Sequence, residues 1–498
     1  VFHGMFVRDT LADVSKVVIL AVSGLSLLYA WPYLRERKLY PGEVPVLVLL
    51  ATAGMMMMVS AGNLVMVYLG LELLALCSYG LVALNRDDGL SSESAIKYIV
   101  LGSLASGLLL YGMSLVYGAT GTLDLAGIHA AAPQVTDTTL LLTGMVFLIA
   151  GLAFKLGAAP FHMWLPDVYQ GAPTPVTLFI SAGPKLAAFC MAYRLLEGAL
   201  GPMSAQWQLL LAGLAAVSLV IGNVIAIAQT NLKRMLAYST VSHVGFLLLG
   251  LAGGDERGYA AALFYAISYA IMSAAAFGAI VVLSRQGFEA DKIDDFKGLN
   301  ARNPWQAGLV MCVMASLAGV PPFLGFWAKL VVLGAAVNAG LVWLAILGVV
   351  CAVIGGFYYL RVIKVMYFDE PVGELPPPRK DRVVPVVFGV NALALLVLGI
   401  FWKRASKWGA VAGMVSGLGI TMYYMVMNQA WLRGVFGVTS PVDLWFAIQP
   451  ISAGVFGVPL GFAVIVIVSL FAPAPSKAVQ DLVEHVRYPN VKTAAGRA

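Results

Sequence analysis

The sequence predicts an all-α fold, a polytopic bundle of transmembrane helices, on three observations. Of the 498 residues 60% are hydrophobic and only 11% carry a charge, and the mean hydropathy of +0.87 lies far above the range of soluble globular domains. Apolar runs of about 20 residues, the length that crosses a hydrocarbon core, recur from end to end with short polar breaks between them. The runs are uniformly apolar rather than short and alternating, which excludes a closed barrel and leaves helices as the spanning structure.

About fourteen spans are expected, near residues 14–33, 43–60, 62–84, 95–117, 139–170, 174–199, 207–229, 235–252, 258–285, 305–339, 341–367, 383–401, 408–428 and 451–472. They group as an N-terminal segment 1–42 with one span, two units of five helices at 43–199 and 207–369, a further helix at 383–401, and a tail 402–498 with two spans.

The net charge of +6 says less than its distribution. Counting crossings from the N-terminus puts Arg35, Arg37, Lys38, Arg86, Lys233, Arg234, Lys292, Lys297, Arg302, Arg379, Lys380 and Arg382 in loops on one side. The opposite loops up to residue 382, such as 118–138 with Asp124 and Asp137, carry almost no Lys or Arg. The positive-inside rule makes the basic side cytoplasmic and places the N-terminus outside.

Cys77, Cys190, Cys312 and Cys351 stand alone in apolar runs, without the C-x-x-C pairs of metal or redox sites, and are expected to be small core residues. The run Met55 to Met58 points its thioethers in different directions on a helix and is read as packing rather than as a soft-metal site. Neither a G-x-G-x-x-G nor a P-loop occurs, so no nucleotide or iron–sulfur cluster is expected on this chain, and no nucleic acid as partner.

An Asp, Lys or Arg at mid-membrane costs roughly 2.5–3.5 kcal/mol on insertion scales, so each one kept there needs a partner or a purpose. Glu72, Lys155, Lys185, His243 and Lys329 all lie inside predicted spans. Arg194, Arg285, Arg361 and Lys364, close to span ends, are expected to be structural pairs or chains that snorkel to the interface. The three mid-span lysines have only Glu72 as an obvious acid, so a static pairing scheme leaves cations over. Burial disfavours the charge on an amine and a nearby carboxylate restores it, so moving that carboxylate makes an amine load or release a proton. His243, in line with the lysines, is a candidate relay between them.

Helix breaks give a second signal. Pro160 cannot donate to the carbonyl of Leu156, and Pro321 and Pro322 free the carbonyls of Leu317 and Ala318. Non-helical backbone at membrane depth survives where protein or a water-filled cavity covers it, so both breaks predict hydrated cavities beside lysines. The broken helix is the fourth in each five-helix unit, and Pro-Phe recurs at Pro160-Phe161 and Pro322-Phe323. An odd number of helices inverts the second unit relative to the first, the inverted-repeat pattern of ion-translocating proteins.

Four segments carry a family resemblance: Leu69-Gly-Leu-Glu-Leu-Leu-Ala-Leu-Cys-Ser-Tyr, Ser92-Glu-Ser-Ala-Ile-Lys-Tyr, Phe154-Lys-Leu-Gly-Ala-Ala-Pro-Phe-His-Met-Trp-Leu-Pro-Asp-Val-Tyr-Gln-Gly-Ala-Pro-Thr-Pro-Val and Asn231-Leu-Lys-Arg-Met-Leu-Ala-Tyr-Ser-Thr-Val-Ser-His-Val-Gly. Together they resemble subunit N of bacterial NADH–quinone oxidoreductase, respiratory complex I, over roughly residues 1–400. The resemblance implies that Glu72, Lys155, Lys185 and Lys329 are the family's essential membrane charges. Glu72 and Lys155 would form a pair, Lys185 would lie on the central axis and Lys329 in the second broken helix. It further implies a multi-pass protein of the bacterial inner membrane that moves protons in contact with other membrane-arm subunits and the lipid bilayer. NADH, FMN and the iron–sulfur clusters would belong to other subunits, with quinone at a distant junction.

The chain departs from the family at both ends. It begins at Val1 without a start methionine, where the family has two more helices, and a truncation is expected there. After Leu396-Val-Leu-Gly-Ile-Phe the stretch from Trp402, through Trp445-Phe-Ala-Ile-Gln-Pro and Pro473-Ala-Pro-Ser-Lys, resembles the C-terminal end of sodium/solute symporters of the acetate-permease kind. Lys403, Arg404 and Lys407, with Lys477, Arg487 and Lys492 in the tail, would then face outward, against the positive-inside pattern, so this piece is expected to be appended and to confer no transport of its own. Three other functions are consistent with parts of the sequence: an Mrp-type sodium/proton antiporter subunit, a solute symporter as the tail alone suggests, and a membrane scaffold.

Overall fold

The computed structural model describes residues 4–39, 42–321, 323–371 and 383–395, together with Tyr423, Val426, Met427, Asn428 and Arg433, each in a helix. The chain divides into two compact units, Val1–Leu396 and Val397–Ala498. The expected spans at 408–428 and 451–472, the basic residues of the tail, Pro322 and the stretch 372–382 with Arg379, Lys380 and Arg382 lie wholly or largely outside the described residues.

The first unit is all helix among its described residues, apart from isolated single-pair bridges. In chain order the helices are α1 (Thr10–Glu36), α2 (Glu43–Val59), α3 (Leu64–Val82), α4 (Gly89–Thr120), α5 (Leu125–Ala131), α6 (Thr138–Leu156), α7 (Trp164–Gly171) and α8 (Thr174–Leu196). They continue as α9 (Ser204–Ile227), α10 (Leu232–Ala252), α11 (Glu256–Leu283), α12 (Leu299–Arg302), α13 (Pro304–Ala318), α14 (Leu324–Asn338), α15 (Val342–Phe368) and α16 (Val383–Leu393). Nine described helices are long and apolar enough to span a bilayer, and α2, α13, α14 and α16 are shorter apolar helices. The expected spans 139–170 and 305–339 each resolve into two pieces, α6 with α7 and α13 with α14. The loop expected at 118–138 contains the short helix α5.

The starts of these helices follow from side chains that accept orphan amides. Asp9 caps α1, Asn63 α3, Asp88 α4, Asp137 α6, Asn231 α10, Asp255 α11 and Asn303 α13. The two breaks have a shared chemistry. Gly157 (φ 82, ψ 34) closes α6 and Gly319 (φ 85, ψ 38) closes α13, both left-handed. The amides of Ala158 and Val320 reach back to the carbonyls of Ala153 and Ala315, at 2.8 and 3.0 Å, in matching Schellman turns. Each helix stops at a glycine shortly before the prolines, Gly157 three residues before Pro160 and Gly319 two before Pro321.

Close helix approach explains part of the glycine content. A Cβ at Gly54 of α2 would stand 2.7 Å from the carbonyl oxygen of Gly70 on α3, and one at Gly112 of α4 would stand 2.8 Å from the amide nitrogen of Leu148 on α6. Small residues let backbones meet where no hydrophobic effect drives helices together. Gly54→Val is expected to force α2 and α3 apart and to cost about 1–3 kcal/mol, read as a lowered melting temperature of the assembled complex.

Helices α8, α10 and α11 form the centre. Nearly all of the apolar stretch of each is buried, whereas the outer helices α1 and α4 bury only about a third of theirs. A helix enclosed on all sides has no lipid-facing surface, so its polar residues must find partners within the protein.

Candidate functional site

The five charged or titratable residues expected inside spans sit on five helices: Glu72 on α3, Lys155 in the last turn of α6, Lys185 on α8, His243 on α10 and Lys329 on α14. Four are nearly inaccessible, with Lys185 at 2%, His243 at 3%, Lys329 at 7% and Lys155 at 9% exposure. Such depth leaves no route for a lysine to snorkel to water.

The partners of two lysines are backbone carbonyls. Lys185 Nζ donates to the carbonyl of Leu156 at 2.8 Å, and Lys329 Nζ donates to those of Leu317 and Ala318, both at 2.9 Å. These are the three carbonyls that the prolines release. The C-terminus of a helix carries partial negative charge, so an ammonium placed there is stabilised without a carboxylate. The expectation that static pairing leaves cations over is thereby narrowed: the ends of the broken helices supply counter-charge to Lys185 and Lys329, and Lys155 is the mid-span lysine left without a bonded partner among the described residues. Aromatic faces add to it, with Lys185 Nζ 5.0 Å from the ring centroid of Trp164 and Lys329 Nζ 5.4 Å from that of Phe246. The glycines at the breaks make room for the amines, since a Cβ at Gly157 or Gly319 would lie 3.3 Å from Lys185 Nζ or Lys329 Nζ.

Lys155 differs. It makes no hydrogen bond or ion pair to another described residue and lines a cavity of about 20 Å³ between α3, α4 and α6, with Leu71, Ala75, Tyr79, Tyr98 and Phe154. That volume holds about one water. Leu71 and Ala75 flank Glu72 on α3, yet Glu72 and Lys155 are not joined by an ion pair within 4.0 Å, and the half-buried Glu72 keeps Oε1 without a hydrogen-bond partner. The pair implied by the family resemblance is therefore open in this structure.

His243 is held at both ring nitrogens. Nδ1 lies 2.7 Å from the Tyr265 hydroxyl and Nε2 3.1 Å from that of Tyr359, which is in turn hydrogen-bonded to Ser239. A neutral imidazole donates at one nitrogen and accepts at the other, and tyrosine hydroxyls serve either role, so the tautomer can be exchanged within this chain. Nearby, the Tyr269 hydroxyl donates to Thr240 Oγ1 at 2.7 Å and Ser273 Oγ to Ser181 Oγ at 2.7 Å, which links α11 to α8 one turn from Lys185.

Sequence reasoning missed these hydroxyls. Tyr265, Tyr269 and Ser273 recur every four residues along one face of α11, and Ser239, Thr240 and His243 share a face of α10. Polar residues at helical spacing inside an apolar span were the available signal. It also assigned Lys233 to a solvated basic loop. The structure corrects this: Lys233 is buried in α10 and donates to the carbonyl of Ala172, at the end of α7, at 2.6 Å. Its neighbour Arg234 reaches Asp167 at 2.7 Å.

The residues read as structural behave so, with defined partners rather than by snorkelling. Arg194 is in a two-pronged pair with Asp9 at 2.7 and 2.8 Å, and Lys364 meets Asp369 at 2.8 Å. Arg285 and Arg361 donate to backbone carbonyls, of Val282 and Ser284 and of Ile227 and Gln229. The four cysteines are buried and unpaired, and Met55 and Met58 pack inward while Met56 and Met57 are half-buried.

Comparison with known proteins places this arrangement. The family model described as "NADH:quinone oxidoreductase/Mrp antiporter, TM" matches residues 61–355. NADH-quinone oxidoreductase subunit N of Xanthomonas euvesicatoria is 74% identical over 408 residues, covering 82% of this chain and 84% of that one. The subunit N of Acidithiobacillus ferrooxidans is 56% identical over 401 residues, with 80% and 83% covered. Among solved structures, a chain of respiratory complex I from Thermus thermophilus with bound aureothin superposes with a TM-score of 0.67 at 32% identity, over 79% of this chain and 85% of that one. With relatives of this identity over four-fifths of the chain, and a family model that runs through both breaks and through Lys155, Lys185 and Lys329, the chain belongs to the family of NADH-quinone oxidoreductase subunit N, multi-pass membrane subunits of respiratory complex I in the bacterial inner membrane.

Proposed function

We propose that this subunit moves protons along its enclosed polar axis and carries out no redox step itself. The observation that carries this reading is the pair of broken helices, each with a freed carbonyl end bound by a buried lysine, with buried groups of hydrogen-bonded hydroxyls and an imidazole on α10 and α11. A cation held by carbonyls rather than by a carboxylate can lose its proton without leaving a buried anion behind. Glu72 acts as the movable counter-charge whose approach loads Lys155, Lys185 as the next acceptor, the Tyr265–His243–Tyr359 chain as the relay, and Lys329 as the terminal site.

The matching glycine-capped breaks support two inverted units, 43–199 and 207–369, each with one discontinuous helix. NADH oxidation, FMN and the iron–sulfur clusters belong to partner subunits, quinone is reduced elsewhere in the complex, and neighbouring membrane-arm subunits and lipid cover the exposed apolar faces. The antiporter reading shares the family model, but the relative at 74% identity is a subunit N.

In membranes containing the assembled complex, Lys155→Ala and Glu72→Gln are each expected to lower NADH-driven proton pumping by at least about tenfold, equivalent to ~1.4 kcal/mol in barrier. Undiminished pumping by either assembled variant refutes the relay assignment. Sodium/proton exchange by the chain without NADH favours the antiporter instead.

A further inference from the structure

One face of α8 carries Thr174, Thr177, Ser181 and Lys185, spaced three, four and four residues apart, a continuous stripe along a helix. All four are essentially inaccessible. Thr177 Oγ1 faces the carbonyls of Tyr169 and Ala172 at 3.1 and 3.5 Å, and Ala172 also receives Lys233 Nζ. Ser181 is reached by Ser273 of α11. The stripe thus leads from Lys185 to the end of the bundle where α1 finishes and α8 and α10 begin.

Its outer end is closed by one carboxylate, Glu289, from the turn after α11. Glu289 accepts from the Thr174 hydroxyl, from the Tyr33 hydroxyl at 2.9 Å and from Arg37 Nη2 at 2.8 Å. The Arg37 guanidinium lies over the Tyr33 ring, 3.7 Å from its centroid, and also donates to the carbonyls of Arg285 and Phe288. Glu289 remains 27% exposed at the side chain and Arg37 14%, so the carboxylate touches both solvent and the first hydroxyl of the stripe. A cap that only tied down this turn needs no contact with the buried hydroxyl.

Building on the functional reading above, we infer that Glu289 is the proton-collecting group at the mouth of the α8 stripe, held by Arg37 and emptying through Thr174 toward Lys185. A proton from water binds the Glu289 carboxylate and makes it the neutral acid, which weakens its attraction to Arg37. The acid passes its proton to the Thr174 oxygen while that hydroxyl's own proton moves on. Side chains one turn apart have Cβ atoms about 5–6 Å from each other, so each step past Thr177 and Ser181 requires one water to enter between neighbouring hydroxyls. The transfer ends on the neutral amine of Lys185, which becomes an ammonium, and Glu289 returns to the carboxylate.

The test uses inside-out membranes bearing the whole complex, with NADH oxidation and vesicle acidification recorded together. Glu289→Gln keeps the size of the side chain and one acceptor oxygen but cannot carry a proton, and is expected to lower pumping at least about threefold. Arg37→Gln removes the same ion pair and is expected to lose distinctly less. Should the Glu289 variant fail to assemble, Thr174→Val replaces it as the test, with Thr174→Ser expected to restore pumping. Lys185→Ala serves as the control: if its pumping is undiminished, the functional reading falls and this inference with it. Loss in Lys185→Ala with normal pumping in Glu289→Gln overturns the inference alone. So does equal loss in Glu289→Gln and Arg37→Gln, which marks the contact as a structural clasp.

Discussion

Lys185→Ala is expected to abolish coupled proton pumping, a fall of at least about tenfold, and to destabilise the assembled complex as well. No other expected relay residue combines so many roles. Its amine occupies the carbonyl end of α6, sits against Trp164 and ends the polar stripe of α8. Removing it leaves the Leu156 carbonyl buried without its partner, a cost of about 1–3 kcal/mol. The stability loss and the pumping loss have separate origins, and Lys185→Arg separates them. Arginine supplies a cation and donors to the same carbonyl, so it is expected to recover much of the lost stability. It does not give up its proton at physiological pH, so pumping is expected to remain low. Pumping by Lys185→Arg close to the wild-type rate, measured as vesicle acidification per NADH oxidised, removes proton exchange at Lys185 from the mechanism.

The class of fold was legible because the bilayer enforces it: long apolar runs have no other way to satisfy their backbone. The positions of the breaks were legible from Pro160, Pro321 and Pro322, and so were the carbonyls they free, at Leu156, Leu317 and Ala318. What a linear reading of the chain could not show was that the lysines are the partners of those carbonyls. Lys185 lies 29 residues from Leu156, and Lys329 lies 12 from Leu317, so each pairing exists only once helices are packed. Bookkeeping restricted to side-chain acids therefore found too few anions. Lys233 was misplaced for a related reason. Its position beside Arg234 at a helix start looks like a solvated loop, and only the seat of α7 against α10 buries it under the Ala172 carbonyl. The hydroxyl chain was visible as periodicity on α10 and α11 but carries no charge, and an insertion-cost argument passes over it.

The second large effect concerns the N-terminal segment rather than the relay. Asp9 caps α1 through Ala12 and at the same time holds Arg194 of α8 with two charge-assisted bonds, while Arg194 Nε reaches the Val59 carbonyl at the end of α2. One carboxylate thus fastens three helices. Arg194 is 9% exposed and Asp9 38% at the side chain, so Asp9→Ala strands a buried guanidinium with only one backbone acceptor. Removing one partner of a buried pair costs about 3–5 kcal/mol, and the partial exposure of Asp9 puts the expectation at the low end, about 3 kcal/mol. Asp9→Asn keeps an oxygen for the Ala12 amide and is expected to cost less. Partial burial works against the Asp9 carboxylate, but the bonds from Arg194 and Ala12 outweigh it and hold its carboxyl below the ordinary range. A carboxyl depressed by folding contributes stability that is complete above its unfolded value, about 3.9, and fades as pH falls through the lower folded value. The stability gap between wild type and Asp9→Ala, read as the difference in melting temperature of the purified complex, should therefore be full at neutral pH and shrink only below about pH 4. A gap that already closes between pH 7 and 5 points to a histidine or a loosened subunit contact, and the Asp9–Arg194 pair is then not what fastens α1 to the bundle.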